Sequence, residues 1–157
     1  MKKITLILIL TLGLFSCSIG DDEPNISYSP VGILDATLPE YFVIDQEYEI
    51  DITYDLGSDC NSFHNFEYSS RQDPEDNSVL EFYVNAIVSF DPSNTANCTD
   101  DGITETENWA EDFAITSDQY DTIRFNFLSG RNADGTPDYL TIDVLVGEPD
   151  ENEEPTE

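Results

Sequence analysis

Basic residues are nearly absent from this 157-residue chain: five Lys and Arg stand against 34 Asp and Glu, for a net charge of −29. Lys2 and Lys3 sit at the very start, so Arg71, Arg124 and Arg131 are the only cations beyond it. Such a surface repels phosphate backbones and anionic headgroups, which excludes nucleic acid as a partner. Histidine is equally scarce. A Ser-His-Asp or Cys-His arrangement would have to use His64, the single His, because a nucleophile needs a base beside it. His64 lies between Phe63 and Phe66 in a strand-like stretch, where a partly buried structural His is expected. Carboxylate pairs of the kind that hydrolyse glycosides carry no information among 34 acids. Gly130 and Gly135 do not make a phosphate-cradling loop. The expectation is a non-enzymatic protein without a cofactor. No sustained helical period occurs, and the longest apolar run is about a dozen residues, short of the ~20 that cross a membrane.

That run is informative. Met1-Lys2-Lys3 is followed by Ile4 to Phe15 and then Ser16-Cys17, the layout of a secretory signal peptide over residues 1–16. Leu14-Phe15-Ser16-Cys17 resembles a lipobox, in which a thiol takes a diacylglyceryl group and cleavage leaves the Cys as N-terminus. Cys17 is therefore the expected lipid anchor, and several acyl chains on one residue hold a protein stably at a membrane. Ser18-Ile19-Gly20-Asp21-Asp22-Glu23-Pro24 then resembles the start of Bacteroidetes outer-membrane lipoproteins, where an acidic cluster after the Cys signals export. The resemblance implies an outer-membrane, surface-exposed location. The same acids also serve as a solvated tether.

Behind Cys17, residues 17–30 are polar with Pro24 and Pro30 and read as a flexible tether. Residues 148–157 hold six acids and two Pro and read as a disordered acidic tail. Between them, residues 31–147 show period-two alternation. Tyr48, Ile50, Ile52 and Tyr54 alternate with acids and Thr53. Leu80, Phe82, Val84, Ala86, Val88 and Phe90 form a longer series, apolar in part on both faces and so central. Ile123, Phe125 and Phe127 form a third, and Leu140, Ile142, Val144 and Val146 a fourth. Shorter candidates are Val31 to Thr37, Phe63 to Ser70 and Glu111 to Thr116. Turn residues at Leu56-Gly57, Asp73-Pro74, Asp91-Pro92 and Asp134-Gly135 separate them. About seven short strands in about 115 residues predict an all-β, Ig-like sandwich rather than an up-and-down barrel. Asp118-Gln119-Tyr120 before the penultimate strand resembles the tyrosine corner of such sandwiches, although Thr122 stands where an antibody domain has Cys. Leu38-Pro39, Cys60 with its aromatics, the long strand and Cys98 resemble Ig-like domains of Bacteroidetes lipoproteins, which implies the architecture and no particular activity.

With Cys17 lipidated, Cys60 and Cys98 remain as an even pair in an oxidising compartment. A disulfide between them would close a loop of about 38 residues and contribute roughly 3–4 kcal/mol in the chain-entropy model. A metal site or a reactive thiol is the alternative, with His64 as the one imidazole available.

Three further features invite a ligand. Asn132, Asp134 and Asp138 have part of the spacing of a calcium loop, but Gly130 and Thr141 stand where an EF-hand wants acids. Asp134-Gly135 between alternating segments is also an ordinary hairpin turn. Trp109, the single Trp, is expected to close a sandwich end, with a ligand platform as the other reading. Asp121-Thr122-Ile123 resembles the short O-glycosylation site of Bacteroidetes. Together these features predict a lipid-anchored envelope protein whose module binds a protein or glycan or serves structure. The alternative is a calcium-dependent adhesion or carbohydrate-binding module.

Overall fold

The computed structural model describes residues 25–94, 98–99 and 102–147. The expected signal peptide, the lipidated Cys17 with its acidic cluster, and the acidic tail lie outside the described residues.

Nine strands are present: β1 (Ser27–Val31), β2 (Ile33–Ala36), β3 (Tyr41–Phe42), β4 (Glu47–Asp55), β5 (Ser62–Gln72), β6 (Val79–Phe90), β7 (Thr104–Ala114), β8 (Thr122–Arg131) and β9 (Pro137–Val146). They form two sheets. One is ordered β2-β4-β7 and the other β1-β6-β8-β9-β3, with β5 added to β6. Side chains from both meet in one core, so the molecule is an all-β sandwich.

Alternation explains the strongest strands. On β4, Ile50, Ile52 and Tyr54 are fully buried while Glu47 and Glu49 stay in water. β6 carries Val84, Ala86 and Val88 inward and, as expected of a central strand, has neighbours on both edges. β5 runs along one edge, from Ser62 opposite Ser89 to Gln72 opposite Leu80. β1 and β8 share the other: β1 pairs with residues 86–90 and β8 with residues 79–84. The β6–β8 pairing is parallel, as is β3–β9, and β7 in the opposite sheet makes the crossover between β6 and β8. At the centre, Phe125 stacks with Phe127 and approaches Phe42, Phe82 and Phe113 at ring centroid distances of 6.1, 5.6 and 5.8 Å. Truncating so enclosed a ring to Ala costs about 3–5 kcal/mol.

Three expectations need correction. The strands number nine, not seven, because β1 and the two-residue β3 were not visible in the alternation. The fold begins at Ser27, inside the stretch read as tether, because Tyr28 to Val31 add to the edge of β6 despite Pro30. β7 begins at Thr104 rather than Glu111. A single residue, Gly32, separates β1 in one sheet from β2 in the other. A Cβ there would lie 2.6 Å from the Ser129 carbonyl oxygen, so only glycine lets the chain change sheets so close to β8.

Candidate functional site

The two sheets are unequal in width, and the mismatch makes a cleft. β5 at one edge of the larger sheet faces β7 at one edge of the smaller one, where Tyr68 meets Trp109. Inward-facing side chains near this side are therefore left partly uncovered. The cleft holds about 310 Å³ and is lined by Tyr68, Phe82, Trp109, Asp112 and Phe113, with Ala110 and Ala114 between. A neighbouring hollow of about 240 Å³ shares Phe82 and Phe113 and continues past Leu80 to Tyr120. The first falls at the small end of the range typical of ligand sites.

Trp109 is the centre of the cleft. Its ring lies 5.7 Å from Phe113, 6.0 Å from Phe125 and 6.2 Å from Phe82, so the core holds it in place. Its exposed side meets Tyr68 edge-on at 5.8 Å, and Tyr68 is 65% exposed. Trp109 thus occupies an open flank of the sandwich, not the end where the sequence placed it. Two β-bulges in the β4–β7 ladder flank it: Tyr48, Ile50 and Asp51 oppose Phe113, Ala110 and Asn108. Bulges redirect side chains, and here they fall where the cleft needs Trp109 and Phe113 together.

One carboxylate borders this aromatic floor, and two more lie earlier on β7. Asp112 is in the lining. Glu105 and Glu107 pair with Tyr54 and Ile52, so they occupy the inward side of β7, where a sandwich ordinarily places apolar residues. The Tyr54 hydroxyl donates to Glu105 Oε2 at 3.0 Å. Burial, the bond to Glu105 and the charges of Glu105 and Glu107 push the Tyr54 hydroxyl far above its ordinary value. Among the described residues, no cation pairs with these acids. Arg71 and Arg124 are both engaged on the outer face of the larger sheet. Arg71 binds Glu81 at 2.8 Å and lies over the Tyr83 ring. Arg124 grips both oxygens of Asp143 at 2.8 and 2.9 Å and reaches Asp73 at 3.0 Å. Arg131 donates to the Gly135 carbonyl.

The residues singled out by sequence lie elsewhere. Cys60 and Cys98 are disulfide-bonded, with Cα atoms 5.5 Å apart. Beside them the Thr99 amide and hydroxyl donate to Asp59 at 2.8 and 2.9 Å and hold its carboxyl below the usual range. Asp59, Cys60 and Cys98 form the one close group of metal-type ligands among the described residues, but both sulfurs are consumed in the bridge. His64 is exposed, not partly buried, and its ring lies 4.5 Å from Tyr28. In the β8–β9 loop Asp134 accepts from the Thr136 amide and hydroxyl, while Asn132 donates its amide to Thr136 and accepts from Gly135. These bonds build a hairpin turn with Gly135 at positive φ, and Asp138 stands on the ladder opposite Gly130. Thr122 is paired on both sides, with Val79 and Leu145, so the glycosylation-like triplet is set within the sheet. Among the described residues the Tyr120 hydroxyl makes no hydrogen bond of the kind that defines a tyrosine corner. Instead Tyr48 accepts from the Val43 amide at 2.8 Å and ties down the β3–β4 link.

No protein-family model matches the chain, and comparison with curated proteins and with solved structures finds no match.

Proposed function

We propose that the chain is a lipid-anchored envelope protein of the outer membrane, held through Cys17, whose Ig-like sandwich is a non-enzymatic binding module with its site between β5 and β7. The observation that carries the binding reading is the cleft itself: a fixed Trp and an exposed Tyr over a floor of Phe82 and Phe113. Exposed aromatics that the core holds rigid lose little entropy on binding, which favours recognition over solubility. The Ig-like reading is supported by strand order. β2-β4-β7 follows the A-B-E neighbours of an Ig domain, and β6-β8-β9 follows C-F-G. The parallel β6–β8 pairing departs from that family, whose sheets are antiparallel. Anchoring is supported by the lipobox-like Leu14 to Cys17, and outward display by Asp21, Asp22 and Glu23. The strong negative charge argues against nucleic acid as the ligand.

Two measurements test this reading. Protease treatment of intact cells should shave the wild-type protein and spare a variant with Asp21, Asp22 and Glu23 replaced by Ala; Cys17→Ala should leave the membrane altogether. A wild-type protein that resists protease would place the module on the periplasmic face. For binding, Trp109 is the single Trp of the chain, so its emission reports on the cleft alone. A panel of neutral oligosaccharides and of charged peptides should contain at least one member that shifts this emission saturably. Silence across the whole panel removes the binding reading.

A further inference from the structure

We propose that the β5–β7 cleft receives an extended, Lys- or Arg-bearing segment of a partner polypeptide, which adds as a strand to β7 and sets a cationic side chain in the cleft against the Trp109–Tyr68 pair and Asp112. This rests on the binding-module reading and names the ligand class.

Three observations converge. The first is a free edge. Among the described residues β7 pairs with β4 alone, and the ladder is unbroken from Thr104 opposite Asp55 to Asn108 opposite Asp51. Its other side offers the unpaired backbone donors and acceptors of alternate residues along this stretch, the template that strand addition uses. Tyr68 of β5 stands 5.8 Å from Trp109 of β7, so β5 gives an added strand a second wall.

The second is the chemistry of the slot. Trp and Tyr faces attract an ammonium or guanidinium group, more strongly where water is partly excluded. Tyr68 and Trp109 stand edge to face at 83° and both line the cleft, so a cation in that space meets an aromatic wall. Asp112 lines the same space.

The third is charge complementarity. Glu105 and Glu107 lie along the very stretch of β7 that would be paired, and the three arginines of the described residues are engaged elsewhere. Among the described residues, Asp112 in the cleft and Glu105 and Glu107 along β7 thus have no cation paired with them. A second copy of this chain would set Glu105 and Glu107 against acids of its own, at a net charge of −29. Its own segments Asp21-Asp22-Glu23 and 148–157 are acidic and are repelled in the same way. A cationic strand is the occupant that these acids favour. They block homotypic pairing and admit the opposite charge.

The test uses the full-length protein in neutral detergent and reads Trp109 emission. The probes are ten-residue peptides of alternating Lys and Thr, alternating Glu and Thr, and alternating Ser and Thr, with neutral oligosaccharides beside them. The Lys peptide should shift the emission saturably and the Glu peptide should not. Tyr68→Ala and Asp112→Lys, both at exposed positions and checked for an unchanged melting temperature, should each weaken binding about tenfold. Raising salt from 0.02 to 0.3 M (chosen conditions spanning roughly a fourfold change in Debye length) should weaken it further. N-methylation of alternate peptide amides should abolish binding in one register and spare it in the other, since only one set faces β7. Equal binding of the Glu peptide, or indifference to methylation in both registers, overturns the proposal. A response to oligosaccharides but not to peptides also overturns it while leaving the binding reading intact. Silence from every probe removes both.

Discussion

Tyr54 donates its hydroxyl to Glu105 across the β4–β7 ladder at 3.0 Å, so a fully buried ring sends its one polar atom to a carboxylate of β7. The consequence is alkaline sensitivity. Folded Tyr54 holds its proton well above the ordinary pH 10.0, whereas the unfolded chain releases it there. The associated stability is complete below pH 10 and is lost as pH rises beyond it. Urea unfolding between pH 9 and 11.5 (a range of about two units around the ordinary tyrosine value) should show this fall in wild type. Tyr54→Phe should flatten it while lowering stability modestly at neutral pH. An alkaline limb unchanged by Tyr54→Phe would show that the fall arises at other groups.

Acid should act in the opposite direction. Asp59, Asp76, Asp91 and Asp134 each accept from a nearby Thr or Ser, and those bonds hold all four below the usual 3.8. Their contribution is present above pH 3.8 and is lost as pH falls below it. At neutral pH the excess of carboxylates repels itself, so partial protonation relieves strain before the caps fail. Stability should rise as pH drops from 7, peak at about pH 4–5 and then decline. Added salt should raise it at pH 7 and change little at the peak. Melting temperatures across this range, at low and high salt, decide the matter; a steady fall from pH 7 downward would contradict it.

The Cys60–Cys98 bridge spans 38 residues. Reduction, or the double change Cys60→Ser with Cys98→Ser, should cost roughly 3–4 kcal/mol in urea unfolding. Asp59 and Thr99 still hold the two loops together through three hydrogen bonds, so the reduced protein should remain folded at room temperature. Collapse of its dispersed amide spectrum on reduction would show that the bonds do not suffice.

Arg124 serves Asp143 and Asp73 directly and lies 3.9 Å from Glu81, which is 6% exposed. Arg124→Ala leaves a buried carboxylate with Arg71 as its one cation, beside the Tyr83 hydroxyl, and should cost on the order of 2 kcal/mol. Arg124→Lys keeps the charge but loses the two-pronged grip on Asp143, so it should restore less than half of that. Full recovery with Lys would show that charge alone matters there.

Period two made much of the architecture visible in advance. β4, β6, β8 and β9 each alternate an apolar face with polar residues, and all four were placed within a few positions of their ends. The first part of β7 escaped because its inward residues there are Glu105 and Glu107 and its outward ones are Thr104, Thr106 and Asn108. Polar residues on both faces leave no alternation to detect. β3, two residues long, falls below any period. The cleft was illegible for a different reason. Tyr68, Phe82 and Trp109 come from three strands, and only the pairing of β5 with β6 and of β7 with β4 brings them together. The two cysteines were legible because parity and compartment suffice to pair them.

Gly32 carries the chain from one sheet to the other within a single residue, pressed against the backbone of Ser129. The Cys60–Cys98 bridge is a second fastening, since it ties the loop that enters β5 to the loop that enters β7. The sandwich is therefore clasped both where the chain changes sheets and where those two strands begin, so parting the sheets there requires a clasp to give.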